Sequence, residues 1–142
     1  MGAHLQKTKL GRTGLEVTRL GFGCALWAPD RRHWTPQRAE QLWAASLEAG
    51  INFFDTSYDY PYSEEWIGRS LETRYDEFYL ATKCGCTDTF PTENYSEHIW
   101  TRDNLFRGVE GSIRRLNRDS VDIIQLHNAT AEECEAGGLV EA

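Results

Sequence analysis

Apolar residues in this chain gather in short runs that stop at ionisable side chains. Asn52-Phe53-Phe54 runs into Asp55, and Phe78-Tyr79-Leu80-Ala81-Thr82 runs into Lys83. Val121-Asp122-Ile123-Ile124-Gln125-Leu126 runs into His127. These runs are largely apolar rather than strictly alternating, the pattern of parallel strands covered on both faces. Between them the spacing changes to that of helices. Thr35 before Pro36 is a cap-plus-first-turn pair, and Ala39, Leu42, Trp43, Ser46 and Leu47 recur helically up to a stop at Gly50. Ser63 predicts the cap of a second helix with Trp66, Ile67, Ser70 and Leu71 on its buried face. Glu64 and Glu65 there suit the positive end of its dipole. Thr101 predicts the cap of a third, with Leu105, Val109, Ile113 and Leu116 on one face.

Ahead of these units, the glycine-rich turn chemistry within Thr8 to Thr18 predicts a β-hairpin, and Arg19 to Cys24 a short strand. A long polar loop is expected from Gly85 to Trp100. Ala131 to Ala142 read as the approach to a fourth helix beginning near Gly138. The order is hairpin, then strand and helix in alternation, an α/β pattern with a parallel sheet. About three and a half βα units are present, whereas a closed (β/α)8 barrel takes roughly 250 residues. The expectation is the N-terminal half of a TIM barrel, with residues 1–142 breaking off within helix 4.

In such a fold active sites form at the carboxyl ends of the strands. Asp55, Lys83 and His127 each stand at such an end, and Tyr60 follows Asp55 by five residues in a stretch that reads as loop. An acid, a phenol, an amine and an imidazole at one rim are a set that proton transfer can use. Each has a structural alternative when taken singly. Asp55 can be satisfied by backbone amides, Tyr60 belongs to an aromatic cover with Tyr58 and Tyr62, Lys83 is solvated, and His127 is a hydrogen-bonded structural histidine.

Composition narrows the classes. The 142 residues are 40% hydrophobic, enough for one domain with a core. A net charge of -7 speaks against nucleic-acid partners. No apolar run nears the ~20 residues of a membrane span, and Met1 to Lys9 lack the apolar core of a signal peptide. Cys24, Cys84, Cys86 and Cys134 are too sparse for a disulfide scaffold, and the Cys84/Cys86 spacing is not a common zinc spacing. The reading is a cytoplasmic protein with reduced thiols and no metal. Trp27 and Trp34 are candidate walls of a substrate pocket, with core packing as an equal competitor.

Six fragments together resemble the aldo-keto reductase superfamily. They are Leu10-Gly11-x-x-Gly14-Leu15-x-Val17, Gly21-Phe22-Gly23, Gly50 to Ser57 with Tyr60, Ser63-Glu64-x-x-Ile67-Gly68-x-x-Leu71, Ala81-Thr82-Lys83, and Val121 to His127. The wording around Lys83-Cys84-Gly85 is most similar to the galactose and aldose dehydrogenase-like branch. The resemblance implies an NADP(H)- or NAD(H)-linked interconversion of carbonyls and alcohols, acting on a small aldehyde, ketone or sugar. By position it implies Tyr60 as general acid and Lys83 beside it, lowering the phenol pKa from near 10. It implies Asp55 as the partner of Lys83 and His127 as the group orienting the carbonyl. The backbone at Gly23 and Cys24, with Asp55, is implied to lie near the nicotinamide ribose. One departure is Pro61, where the family usually has glycine; proline restricts Tyr60 towards extended backbone.

Three functions follow as expectations: a reductase half that needs a C-terminal half, a non-catalytic half-barrel that binds a partner, and a Schiff-base lyase using Lys83. In the first two, open apolar edges near Leu20 to Cys24 and Val121 to Leu126 invite self-association or a partner that closes the barrel.

Overall fold

A computed structural model describes residues 5–25, 34–87 and 97–136. Trp27, most of the loop between Gly85 and Trp100, and Gly138 fall outside the described residues. Strands β1 (Lys7–Lys9) and β2 (Glu16–Thr18) pair antiparallel as the expected hairpin. Next come β3 (Phe22–Gly23), α1 (Pro36–Glu48), β4 (Phe53–Asp55), α2 (Ser63–Ser70) and a 3-10 turn at Glu72–Glu77. Then follow β5 (Tyr79–Cys84), α3 (Arg102–Leu116), β6 (Ile123–Leu126) and α4 (Ala131–Ala136).

The four later strands form one parallel sheet in the order β3-β4-β5-β6. Spatial order follows chain order without reversal, which is barrel winding; a doubly wound sheet reverses at a switch point. The described sheet ends at β3 and β6, the two edges expected. Ile124 on β6 and Leu20 just before β3 are exposed.

The hairpin is stitched to the amino end of β4 by one side chain. Asn52 accepts from Thr18 N at 2.6 Å and donates through Nδ2 to Glu16 O at 2.9 Å, while its own N–H donates to Thr18 Oγ1 at 3.1 Å. The core behind the sheet joins Trp43 and Leu47 of α1, Phe54 of β4, Ile67 and Leu71 of the α2 segment, Leu80 of β5 and Leu116 of α3. Trp34 packs against this cluster, which favours the packing alternative for that residue.

Local chemistry differs from expectation at three helices. Tyr62, in the left-handed region at φ 59°, is the N-cap of α2, and Ser63 is its first residue with its hydroxyl 2.7 Å from Thr56 Oγ1. Helix α3 is capped by Thr101 as expected, but its buried face is Asn104, Gly108, Gly111, Ser112 and Leu116. Leu105, Val109 and Ile113 are only partly buried. Close approach decides this: a Cβ at Gly111 would lie 2.5 Å from the Tyr58 ring, and Gly108 faces Cys84. Helix α4 starts at Ala131, not near Gly138, because Thr130 and Glu133 form a reciprocal capping box.

Candidate active site

Parallel register carries the predicted groups to one rim. Gly23 is aligned with Asp55, Asp55 with Ala81, and Lys83 with Gln125, so Lys83 lies two residues further along β5 than the Asp55 level. Lys83 spans that step. Its Nζ donates to Asp55 Oδ1 at 2.5 Å and to Thr56 O at 2.6 Å. The other carboxylate oxygen, Asp55 Oδ2, accepts from Gln125 Nε2 at 3.0 Å. Asp55 is thus held from β5 and, across it, from β6. Gln125 is a positioning group that the apolar run around it concealed.

Tyr60 lies above this pair, with Lys83 Nζ 4.9 Å from the centre of its ring. Burial raises the phenol above its ordinary 10.0, and the nearby Lys83 charge lowers it by less, so the net direction is upward. The expected depression by Lys83 is present but outweighed. The turn after Tyr60 passes through Pro61 without a cis peptide, and its left-handed residue is Tyr62.

His127 stands edge-on to Tyr60, with ring centres 5.8 Å apart. Its N–H donates to Cys84 O at 3.0 Å, fixing it beside β5. Its Nδ1 lies 3.2 Å from Asp59 Oδ1 and 3.1 Å from Ser57 Oγ, and Ser57 Oγ donates to Asp59 at 2.6 Å. A carboxylate only accepts, so at the contact with Asp59 it is Nδ1 that carries a proton. Ser57 and Asp59 follow directly on Asp55 and were not singled out by the sequence pattern.

The cofactor-side expectations separate. Gly23 is exposed, and a Cβ there would meet nothing within 4 Å, so backbone and solvent meet at the rim beside Asp55. Cys24 N donates to Asp55 O at 2.7 Å, but its thiol is buried in the core, where desolvation pushes its pKa strongly upward. Only the backbone of Cys24 is available to a ligand.

Chemically, the rim holds a phenol that stays protonated, a cation beneath it fixed by a carboxylate, and an imidazole at its flank. That suits donation of a proton to a developing oxyanion. It does not suit Schiff-base chemistry, because Lys83 Nζ donates to a carboxylate and a carbonyl instead of offering a lone pair.

Known proteins share this arrangement of chain. The sequence profile of the Aldo/keto reductase family matches residues 19–133. L-galactose dehydrogenase from Arabidopsis thaliana is 33% identical over 128 residues, which cover 84% of this chain and 37% of that protein. An uncharacterised oxidoreductase of Bacillus subtilis, YqkF, is 29% identical over 133 residues, covering 91% and 41%. A probable voltage-gated potassium channel subunit beta from Oryza sativa is 30% identical over 132 residues, covering 89% and 38%. Among solved structures, the holo form of an aldo-keto reductase from Bacillus halodurans superposes with a TM-score of 0.82 at 30% identity. It covers 94% of this chain and 44% of that one. The chain therefore spans about two fifths of the length of the curated relatives it matches. Four parallel strands in barrel order and a profile match over most of its residues place the chain in the Aldo/keto reductase family, as the N-terminal half of its TIM barrel.

Proposed function

We propose that the rim of Asp55, Tyr60, Lys83 and His127 serves the reversible reduction of a small aldehyde, ketone or sugar carbonyl with a nicotinamide dinucleotide. The observation that carries this reading is Lys83 Nζ, which bonds Asp55 and lies 4.9 Å from the centre of the Tyr60 ring at the carboxyl end of the sheet. When bound, the nicotinamide supplies the hydride. Tyr60 donates its proton to the carbonyl oxygen. Lys83 keeps a positive charge beside the phenolate that remains, and Asp55 with Gln125 keeps Lys83 in place. His127 orients the carbonyl from the side facing Tyr60. The exposed backbone at Gly23, with Asp55, offers a ledge for the nicotinamide ribose, and the open rim there fits such a group.

The reaction belongs to a closed barrel. The strands that adjoin β3 and β6, and the grip on the adenosine end of the cofactor, come from further residues, a second copy or a separate chain. Exposed Ile124 on the β6 edge supports that closure.

Titration of the purified chain with NADPH, read by quenching of its five tryptophans, tests the reading, with Asp55→Asn as control. Saturable micromolar binding weakened by the substitution is the expected result. Binding absent up to millimolar concentration, both alone and with a complementing C-terminal half, would leave the non-catalytic half-barrel as the better account.

A further inference from the structure

Around His127 four side chains converge. Asp59, Cys86, His98 and His127 each offer a donor atom, and all four atoms lie within 4.8 Å of one another. His127 Nδ1 is 3.2 Å from Asp59 Oδ1 and 3.3 Å from Cys86 Sγ. Tetrahedral zinc, with Zn–N near 2.0 Å and Zn–S near 2.3 Å, spaces its donors by roughly 3.3–3.6 Å. The two distances at His127 Nδ1 match that spacing, and the remaining pairs lie within 4.8 Å.

A backbone frame builds the group. Cys86 and His98 face each other across an isolated antiparallel bridge, flanked by Thr87 N to Glu97 O at 2.9 Å and Ile99 N to Gly85 O at 2.8 Å. The Asn104 side chain, itself buried, clamps both arms by donating to Gly85 O at 3.0 Å and Ile99 O at 2.9 Å. Asp59 and His127 side chains are 7% and 9% exposed, and Cys86 is buried. His98 stacks on Trp100 and meets His127 edge-on at 5.0 Å. Hydrogen bonding accounts for His127 Nδ1 but not for His98, whose Nε2 is buried with no partner among the described residues. Buried ring nitrogens are ordinarily satisfied.

We propose that Asp59, Cys86, His98 and His127 bind one Zn2+ ion. On binding, the Cys86 S–H bond breaks, its proton leaves to solvent and an Sγ–Zn bond forms, with no change of oxidation state. Two imidazoles, a thiolate and one carboxylate match a borderline cation and not Mg2+ or Ca2+. The ion also decides the His127 tautomer. Without it Nδ1 donates to Asp59; with it Nδ1 is a ligand and Nε2 carries the proton. Only that consequence for carbonyl orientation rests on the reductase reading; the binding site stands on its own geometry.

Co2+ is the probe, added to the reduced full chain and followed by its sulfur-to-cobalt charge-transfer absorption. Saturable absorption is expected, displaced by Zn2+ and untouched by excess Mg2+. Cys86→Ser abolishes the band, while Cys134→Ser, at a partly exposed thiol outside the group, leaves it. His98→Gln keeps the band but weakens binding on the order of 10- to 100-fold, at least the loss that altered metal surroundings cause. It also serves where Cys86→Ser does not fold. An absent band up to millimolar Co2+, a band surviving Cys86→Ser, or unchanged affinity in His98→Gln each overturns the proposal. NADPH binding by a chain that takes no cobalt would sink the metal site and leave the reductase reading intact.

Discussion

Lys83 Nζ sits 2.5 Å from Asp55 Oδ1 and 4.9 Å from the centre of the Tyr60 ring, so one ammonium serves both the acid and the phenol. Removing that charge strips stabilisation from the phenolate without opening the core, since Lys83 lies at the rim. In the closed barrel, Lys83→Met should lower kcat/KM for carbonyl reduction on the order of 10²- to 10⁴-fold, the usual contribution of a positioned proton-transfer group. NADPH affinity should change far less. Lys83→Arg should not restore the rate, because a planar guanidinium cannot reach Asp55 Oδ1 and Thr56 O as a point charge does. Steady-state kinetics on the two variants checks this; full activity in Lys83→Met would remove Lys83 from the mechanism.

The raised phenol of Tyr60 gives a pH signature. Reduction uses the protonated phenol, so its kcat/KM should stay level through neutral pH and decline only above the ordinary value of 10.0. Alcohol oxidation uses the phenolate and should climb across the same range. In Lys83→Met the lowering influence of that charge is lost and the decline should move still higher. A pH–rate profile for reduction that breaks well below the ordinary phenol value would contradict the burial-dominated environment described for Tyr60.

Much of this rim was legible in the linear sequence, because apolar runs end at Asp55, Lys83 and His127 and parallel strands carry such ends to one edge. What stayed hidden depends on pairing across loops. Cys86 and His98 meet only through an isolated bridge whose two arms Asn104 ties together, and no local periodicity encodes that. Gln125 was concealed inside an apolar run. Glu64 reads only as an acid suited to the helix dipole, yet it is buried at 1% exposure, because α2 turns its first turn towards β5 and α3. The closest face of α3 has a related reason: glycines and small polar residues win positions that require backbone proximity, so of the four apolar residues on one face only Leu116 is fully buried.

Glu64 makes the second pH-dependent forecast, this one for stability. Thr82 Oγ1 donates to its Oε1 at 2.6 Å and Arg115 Nη1 lies 3.4 Å from Oε2, yet desolvation outweighs both and holds its carboxyl above the ordinary 4.5. The folded chain therefore binds more protons than the unfolded chain between 4.5 and the raised value. The associated stability is fully present below 4.5 and is lost as pH rises through the folded pKa. Glu64→Gln keeps an oxygen for Thr82 and cannot ionise. Urea midpoints should fall with rising pH in this window for the native sequence and fall less for Glu64→Gln. Parallel pH dependences in the two proteins would show that Glu64 does not titrate in the fold.

Gly68 tests the packing that delivers α3 to the sheet. A Cβ there would lie 2.5 Å from Arg115 O and 2.8 Å from both the carbonyl carbon and oxygen of Leu116, backbone atoms that cannot swing away. These carbonyls belong to the last turn of α3, where Tyr75 Oη also donates to Leu116 O. Gly68→Ala must push α2 and α3 apart and disturb the Arg115 contacts with Tyr58 and Glu64. Overpacking of this kind costs about 1–3 kcal/mol, more than the alanine gains in helix propensity. Chemical denaturation should show that loss, whereas Ala substitution at Gly23, where a Cβ meets nothing, should leave the unfolding midpoint nearly unchanged. Equal stability of Gly68→Ala and the native sequence would mean that α2 and α3 do not touch at this point.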